Sequence, residues 1–235
     1  MWDIYWGIAV ILIASGGVFL GGFRLARRVS KRWNAAVAFV TVLLTSSFAL
    51  FVYGSLVLAR WLSLSNAIVI GNALPLGAAF LAGMVLGQRG IRRWRRVAFS
   101  AALAITGVYA LIEPLCVSPP QGDDYWTNGV CLQSNDAACS PAAAATLLRH
   151  HGIEATEQEM IVLCLTGRKA TRQLGLYRGL KKKTIHTPWR VEVFRSNVDR
   201  LRREARWPVV LPVKLRRGAD VDPRYKNGLF RVFGG

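Results

Sequence analysis

Four unbroken apolar runs, Ile4–Phe23, Ala35–Leu58, Ala67–Leu86 and Val97–Leu115, fill the first half of this 235-residue sequence. Each is close to the ~20 residues a helix needs to cross the ~30 Å hydrocarbon layer of a bilayer. None carries a charge in its interior. A chain built this way is confined to helices in that half, because open sheets leave backbone groups unsatisfied in lipid. Composition agrees, with 52% hydrophobic residues and a mean hydropathy of +0.29. Residues 1–115 therefore read as an all-α, four-helix transmembrane anchor. Only Asp3 precedes the first run, so the basic leader of a cleaved secretory signal is missing.

The charges decide orientation. The formal net charge is +18, from 31 basic and 13 acidic residues. Residues 1–112 hold 11 of the basic residues and a single acid, Asp3. Ten of the eleven lie in two short loops. Arg24, Arg27, Arg28, Lys31 and Arg32 follow the first run; Arg89, Arg92, Arg93, Arg95 and Arg96 follow the third. The loop between runs two and three has Arg60 alone. The positive-inside rule places the two basic loops in the cytoplasm, and both termini outside. The basic excess thus has a membrane explanation. No aromatic-interleaved basic motif accompanies it, and the expectation is no nucleic-acid partner. Lipid is the expected partner of this half. Gly17-x-x-x-Gly21 and Gly83-x-x-x-Gly87 either let helices approach closely or reflect the ordinary use of Gly in membrane helices.

Glu113-Pro114 and Pro119-Pro120-Gln121-Gly122 mark a linker, 116–129. Cys116 and Cys131 flank it, either as a disulfide or as two free thiols. Beyond it, Cys139 precedes Ser140-Pro141 and a run of helix formers, Ala142–Leu148, with Gly152 placed as a helix stop. A Cys at a helix N-terminus is favoured as thiolate by unpaired N–H groups and the helix dipole. A thiolate attacks carbonyl carbon. Gln133, six residues upstream, has a side-chain amide suited to an oxyanion. The competing reading of Cys139 is a buried, unreactive helix-start residue.

Further signals follow in order. Thr156-x-x-Glu159 is a capping box for a helix to Leu165. Arg172–Lys183 reads as a third helix, with Lys181–Lys183 at its dipole-compatible end. Trp189–Phe194 alternates as a strand does. Ser196 opens a basic helix to about Arg206, and Pro208–Leu215 reads as a buried strand. There is no GxxxxGK[ST] phosphate loop, no CxxC pair, and no cofactor or metal motif.

Together Gln133, Cys139-Ser140-Pro141, Gly152-Ile153, Thr156–Glu159, Leu163–Gly167, Ala170-Thr171, Gly175-Leu176, Pro188-Trp189 and Pro208–Val213 resemble the papain-like cysteine peptidases. The nearest likeness is to the bacterial leader peptidases that cut bacteriocin precursors after a double glycine (cysteine-peptidase family thirty-nine). The resemblance covers roughly Val130 to Val213. It implies an α+β papain-like domain over 130–235, with Cys139 as nucleophile, Gln133 as oxyanion donor and a peptide or protein substrate. It also implies a catalytic His on a strand after the helical half, oriented by an Asp or Asn. The histidines here are His150, His151 and His186. The first two end the helix that Cys139 begins, about 16 Å along it. His186 precedes the first expected strand. Asp220 and Asp222 have no following His to orient. The peptidase domain thus reads as incomplete, stopping short of its catalytic strand. Two functions remain open: a membrane-anchored thiol peptidase-like protein of weak activity, or a non-catalytic module that binds a leader peptide at the membrane.

Overall fold

A computed structural model describes residues 1–194, together with Asp199, Arg203 and Pro208–Val210. The expected helix from Ser196 and most of the strand from Pro208 lie outside the described residues.

The first apolar run forms α1, Trp2–Arg28, and the second α2, Lys31–Phe51. A short helix, α3 (Val57–Trp61), follows the turn at Gly54. The third run is interrupted. It forms α4, Ala67–Ile70, then α5, Leu74–Gly87, with a break at Gly71–Ala73. Asn72 accounts for the break. Its Oδ1 accepts from Leu74 N–H at 3.1 Å, and its Nδ2 donates to the Ala110 carbonyl at 2.9 Å. Pro75 then sits in the first turn of α5, where it costs no hydrogen bond. The fourth run is α6, Arg93–Ile112, ended by a 3₁₀ turn at Glu113–Leu115. Four spans, Trp2–Arg28, Lys31–Phe51, Ala67–Gly87 and Arg93–Leu115, are long and apolar enough to cross a membrane. The chain is a multi-pass membrane protein.

α5 is the centre of the bundle, packed against α1, α2 and α6. It is apolar on every side, as a helix surrounded by other helices should be. Close approach needs glycine. A Cβ on Gly83 would collide with the Phe19 carbonyl, and one on Gly87 would lie 2.6 Å from the Phe23 carbonyl. Gly17 and Gly21 face open space. Of the two GxxxG pairs, only the one in α5 serves helix packing among the described residues.

The second half opens with a hairpin, β1 (Trp126–Thr127) and β2 (Val130–Cys131), paired antiparallel. Asn128 and Gly129 take φ of 50° and 78° at its turn, the left-handed pair that suits a two-residue hairpin. Three helices follow: α7 (Cys139–His150), α8 (Glu157–Leu163) and α9 (Gln173–Lys183). The hairpin precedes the helices, in and beside the stretch read as a linker, and is the only sheet among the described residues. Trp189–Phe194 is not a strand. Its alternation persists, with Val191 and Val193 half-buried and Glu192 and Phe194 exposed, but no neighbouring strand among the described residues pairs with it. The described part is thus mostly helical with a two-stranded sheet.

α9 has two buried faces. Leu176 and Leu180 join Ala144, Ala145, Leu148 and Met160 in the core of the second half. Leu174 and Tyr177 join Ile4, Ile11, Ala67, Val69 and Leu111 of the membrane helices. The second half is docked on the end of the bundle that carries Asp3.

Candidate functional site

α7 begins at Cys139 and the thiol is exposed. The helix ends as its sequence suggests. Gly152 has a φ of 70°, its N–H donates to the Arg149 carbonyl at 3.0 Å, and Ile153 N–H donates to the Leu148 carbonyl at 2.9 Å. At the other end no side chain caps the helix. Ala142 N–H donates to the Ala138 carbonyl at 2.9 Å. Pro141 has no N–H. Among the described residues, the N–H groups of Cys139 and Ser140 donate to no protein atom. Two unpartnered donors and the helix dipole therefore lie beside the sulfur. Among the described residues, its one side-chain hydrogen-bond neighbour is Ser140 Oγ at 3.9 Å.

The turn into α7 is held from below. Ala137 and Ala138 are buried. Asn135 Oδ1 accepts from Ala137 N–H at 3.1 Å, and Thr171 Oγ1 reaches the Ala137 carbonyl at 3.4 Å while bonding Thr166 Oγ1 at 2.8 Å. Ser134, between Gln133 and this turn, is fixed by Glu157. The Glu157 carboxylate is fully buried. Its Oε1 accepts from Ser134 N–H at 2.8 Å and its Oε2 from the Ser134 hydroxyl, which itself accepts from Asp123 N–H at 2.8 Å. The linker is drawn in as well. Gly122 N–H donates to Gln158 Oε1 at 2.6 Å, and Asp124 Oδ1 accepts from Gln158 N–H at 3.1 Å.

Gln133 is exposed, and among the described residues its amide bonds neither Cys139 nor any other group. Among the described residues no histidine bonds the thiol. His150 and His151 lie at the far end of α7, with the His151 ring 4.1 Å from that of Trp189. His186 is exposed in the turn after α9.

The other thiols differ from Cys139. Cys116 is free and exposed, and Cys131 is free and buried, so the two form no disulfide. Burial pushes the Cys131 thiol up to about 11, with the carboxylates of Glu157 and Asp124 adding to it. Burial pushes Cys164 up to about 12, against the opposing pull of Arg178 and the Gly179 N–H. Both stay protonated near neutrality and are poor nucleophiles.

Sequence reasoning missed the main electrostatic feature. Arg178 is almost fully buried and pairs with Asp3 across the two halves. Ser65 Oγ also donates to Asp3, at 3.3 Å, and Lys182 lies 4.0 Å from it. The signal was present: Asp3 is the only acid in the first 112 residues, and a lone acid in a membrane half calls for a cation. At the start of α9, Arg172 pairs with Glu113 and donates to Tyr53 Oη at 3.0 Å. Lys183 bonds both oxygens of Glu159, at 3.0 and 2.9 Å, so the lysine end of α9 is partly a structural clasp.

Among the described residues, no three His, Cys, Asp or Glu side chains converge where they would hold a metal ion. No family model, curated protein or solved structure matches the chain.

Proposed function

We propose that this protein is a membrane-anchored thiol protein of the double-glycine leader-peptidase kind, acting on a peptide carbonyl at the membrane surface. The observation that supports it is the contrast among the cysteines: Cys139 is exposed at an uncapped helix head, while Cys131 and Cys164 are buried and held protonated. In this reading the Cys139 sulfur attacks the carbonyl carbon. The N–H groups of Cys139 and Ser140 stabilise charge near the sulfur. The Gln133 amide turns in to donate to the developing oxyanion. The positive-inside rule, with the basic loops at the opposite end of the bundle from the docked second half, supports a reading in which that half faces away from the cytoplasm. The peptidase fold itself is part of the proposal.

No histidine reaches Cys139 among the described residues, which favours a second function on the same surface: holding a leader peptide without cutting it. An amide needs its leaving nitrogen protonated, whereas an activated ester does not. Full-length protein is therefore incubated with a double-glycine leader peptide and, separately, with an activated ester of that peptide. Acylation of Cys139 by the ester, read by peptide mass mapping, supports the thiol reading. It should outpace acylation of Cys116, which is also exposed, vanish in Cys139→Ala, and fall by about a hundredfold in Gln133→Ala. Peptide binding that is unchanged in Cys139→Ala, with no acylation at all, supports the binding module. Acylation no faster at Cys139 than at Cys116, with no peptide bound, overturns both.

A further inference from the structure

The basic end of the membrane bundle carries a second surface, independent of Cys139. A shallow, largely open trough of about 780 Å³ runs along the first turns of a single helix, lined by Arg92, Arg93, Trp94, Val97 and Ala98 at the head of α6. Its apolar wall is bare to the surroundings, Trp94 being 62% and Val97 50% exposed.

The four arginines beside it are not equivalent. The Arg95 guanidinium stacks on the Trp94 ring, 5.3 Å from its centroid. Arg96 donates to the carbonyls of Leu86 and Gln88, at 3.2 and 2.8 Å, and closes the end of α5. Arg92 and Arg93 form no ion pair among the described residues. Asp3, the single acid of the membrane half, lies at the opposite end of α1, roughly 40 Å along a helix of 27 residues. Two guanidiniums without an ion pair among the described residues thus stand at the rim of an apolar trough, in a stretch of sequence that carries no carboxylate.

At the boundary of a bilayer that combination has one chemical complement. A phosphodiester satisfies the guanidinium forks. An acyl chain covers Val97 and Ala98, and Trp94 sits at headgroup depth. We propose that Arg92, Arg93, Trp94, Val97 and Ala98 form a seat for one anionic phospholipid. A zwitterionic lipid offers the same phosphate but brings an ammonium group that the arginines repel. Free phosphate has no chain to cover the apolar wall.

The test is native mass spectrometry of the full-length protein released from detergent, titrated with phosphatidylglycerol or phosphatidylcholine of identical acyl chains. The wild type should retain phosphatidylglycerol more strongly by about tenfold or more, the effect of two interfacial arginines. Arg92→Gln/Arg93→Gln should lose that preference, and Arg27→Gln/Arg28→Gln in the other basic loop should keep it. Val97→Asn, which leaves both guanidiniums in place, should weaken retention of both lipids. Excess inorganic phosphate should displace nothing. Equal retention of the two lipids by the wild type overturns the proposal without recourse to any variant. So does undiminished phosphatidylglycerol retention in Arg92→Gln/Arg93→Gln, or displacement by phosphate.

Discussion

Arg178 donates from Nε and Nη2 to the two carboxylate oxygens of Asp3, 175 residues earlier in the chain, each at 2.9 Å. A third guanidinium nitrogen bonds the Leu163 carbonyl, so the cation also ties α8 to α9. The arrangement is the two-pronged fork that arginine makes with a carboxylate, and the side chains are 1% and 12% exposed.

Removing either partner strands the other in a buried setting, at a cost of about 3–5 kcal/mol. Asp3→Asn and Arg178→Met should each lower the thermal midpoint of the detergent-purified protein by several degrees. Combined, they should cost clearly less than the sum of the two. Strictly additive costs would mean that the pair contributes no coupling.

Glycine in α5 should be irreplaceable where glycine in α1 is not. Gly83→Leu must part α5 from the Phe19 backbone, and loss of the folded species on size-exclusion chromatography is expected. Gly17→Leu projects into open space and should leave the elution profile and thermal midpoint unchanged. Equal behaviour of the two variants would contradict the observed α1–α5 approach.

Glu157 should govern the order of the turn before Cys139. Glu157→Ala leaves the Ser134 N–H and hydroxyl without their acceptor, at about 1–3 kcal/mol. Faster amide exchange at Ser134–Ala138, with exchange in α6 unchanged, is the expected pattern. Uniform acceleration across the whole chain would assign Glu157 a global role instead.

Stability should fall at alkaline pH through Cys164. Its thiol is raised in the folded state from 9.0 to about 12, chiefly by burial. The unfolded chain releases this proton first. The contribution is therefore complete below about pH 9 and is lost as pH rises toward about 12, by about 1 kcal/mol per pH unit. Tyr177, also raised by burial, acts in the same direction. The advantage of the wild type over Cys164→Ala should hold constant from neutral pH to about pH 9 and shrink steadily above it in thermal melts. A difference that stays constant above that pH would rule out this origin.

What the letters reveal follows from the range of the interactions involved. The four membrane helices are legible because length and apolarity are local properties. The all-round apolar character of Leu74–Gly87 marks it as the central helix. The Thr156 half of the capping box is found as read, with Glu159 N–H donating to Thr156 Oγ1 at 3.0 Å, while the Glu159 carboxylate is taken by Lys183. The start of α7 at Cys139 and its stop at Gly152 follow from Pro and Gly placement. The hairpin was equally legible through Asn128-Gly129, yet it falls where the sequence reads as a linker. Its strands are two residues each, too short to show alternation. Trp189–Phe194 failed in the opposite sense: alternation records which side is buried, whereas a strand also needs a neighbour. The Glu157–Ser134 and Arg178–Asp3 contacts join residues 23 and 175 apart, and no local pattern encodes such a distance. Around the candidate thiol, the helix head was readable. The resting position of the Gln133 amide was not, because an exposed side chain with no partner among the described residues has no preferred direction to read.

The double-sided packing of α9 has a practical consequence. A recombinant fragment beginning after the last membrane span would present Leu174, Tyr177 and an unneutralised Arg178 to water, all of which the bundle otherwise covers. Such a fragment would be prone to aggregate, and its behaviour would say little about the intact protein. Assays of Cys139 chemistry therefore belong in micelles or nanodiscs with every helix present.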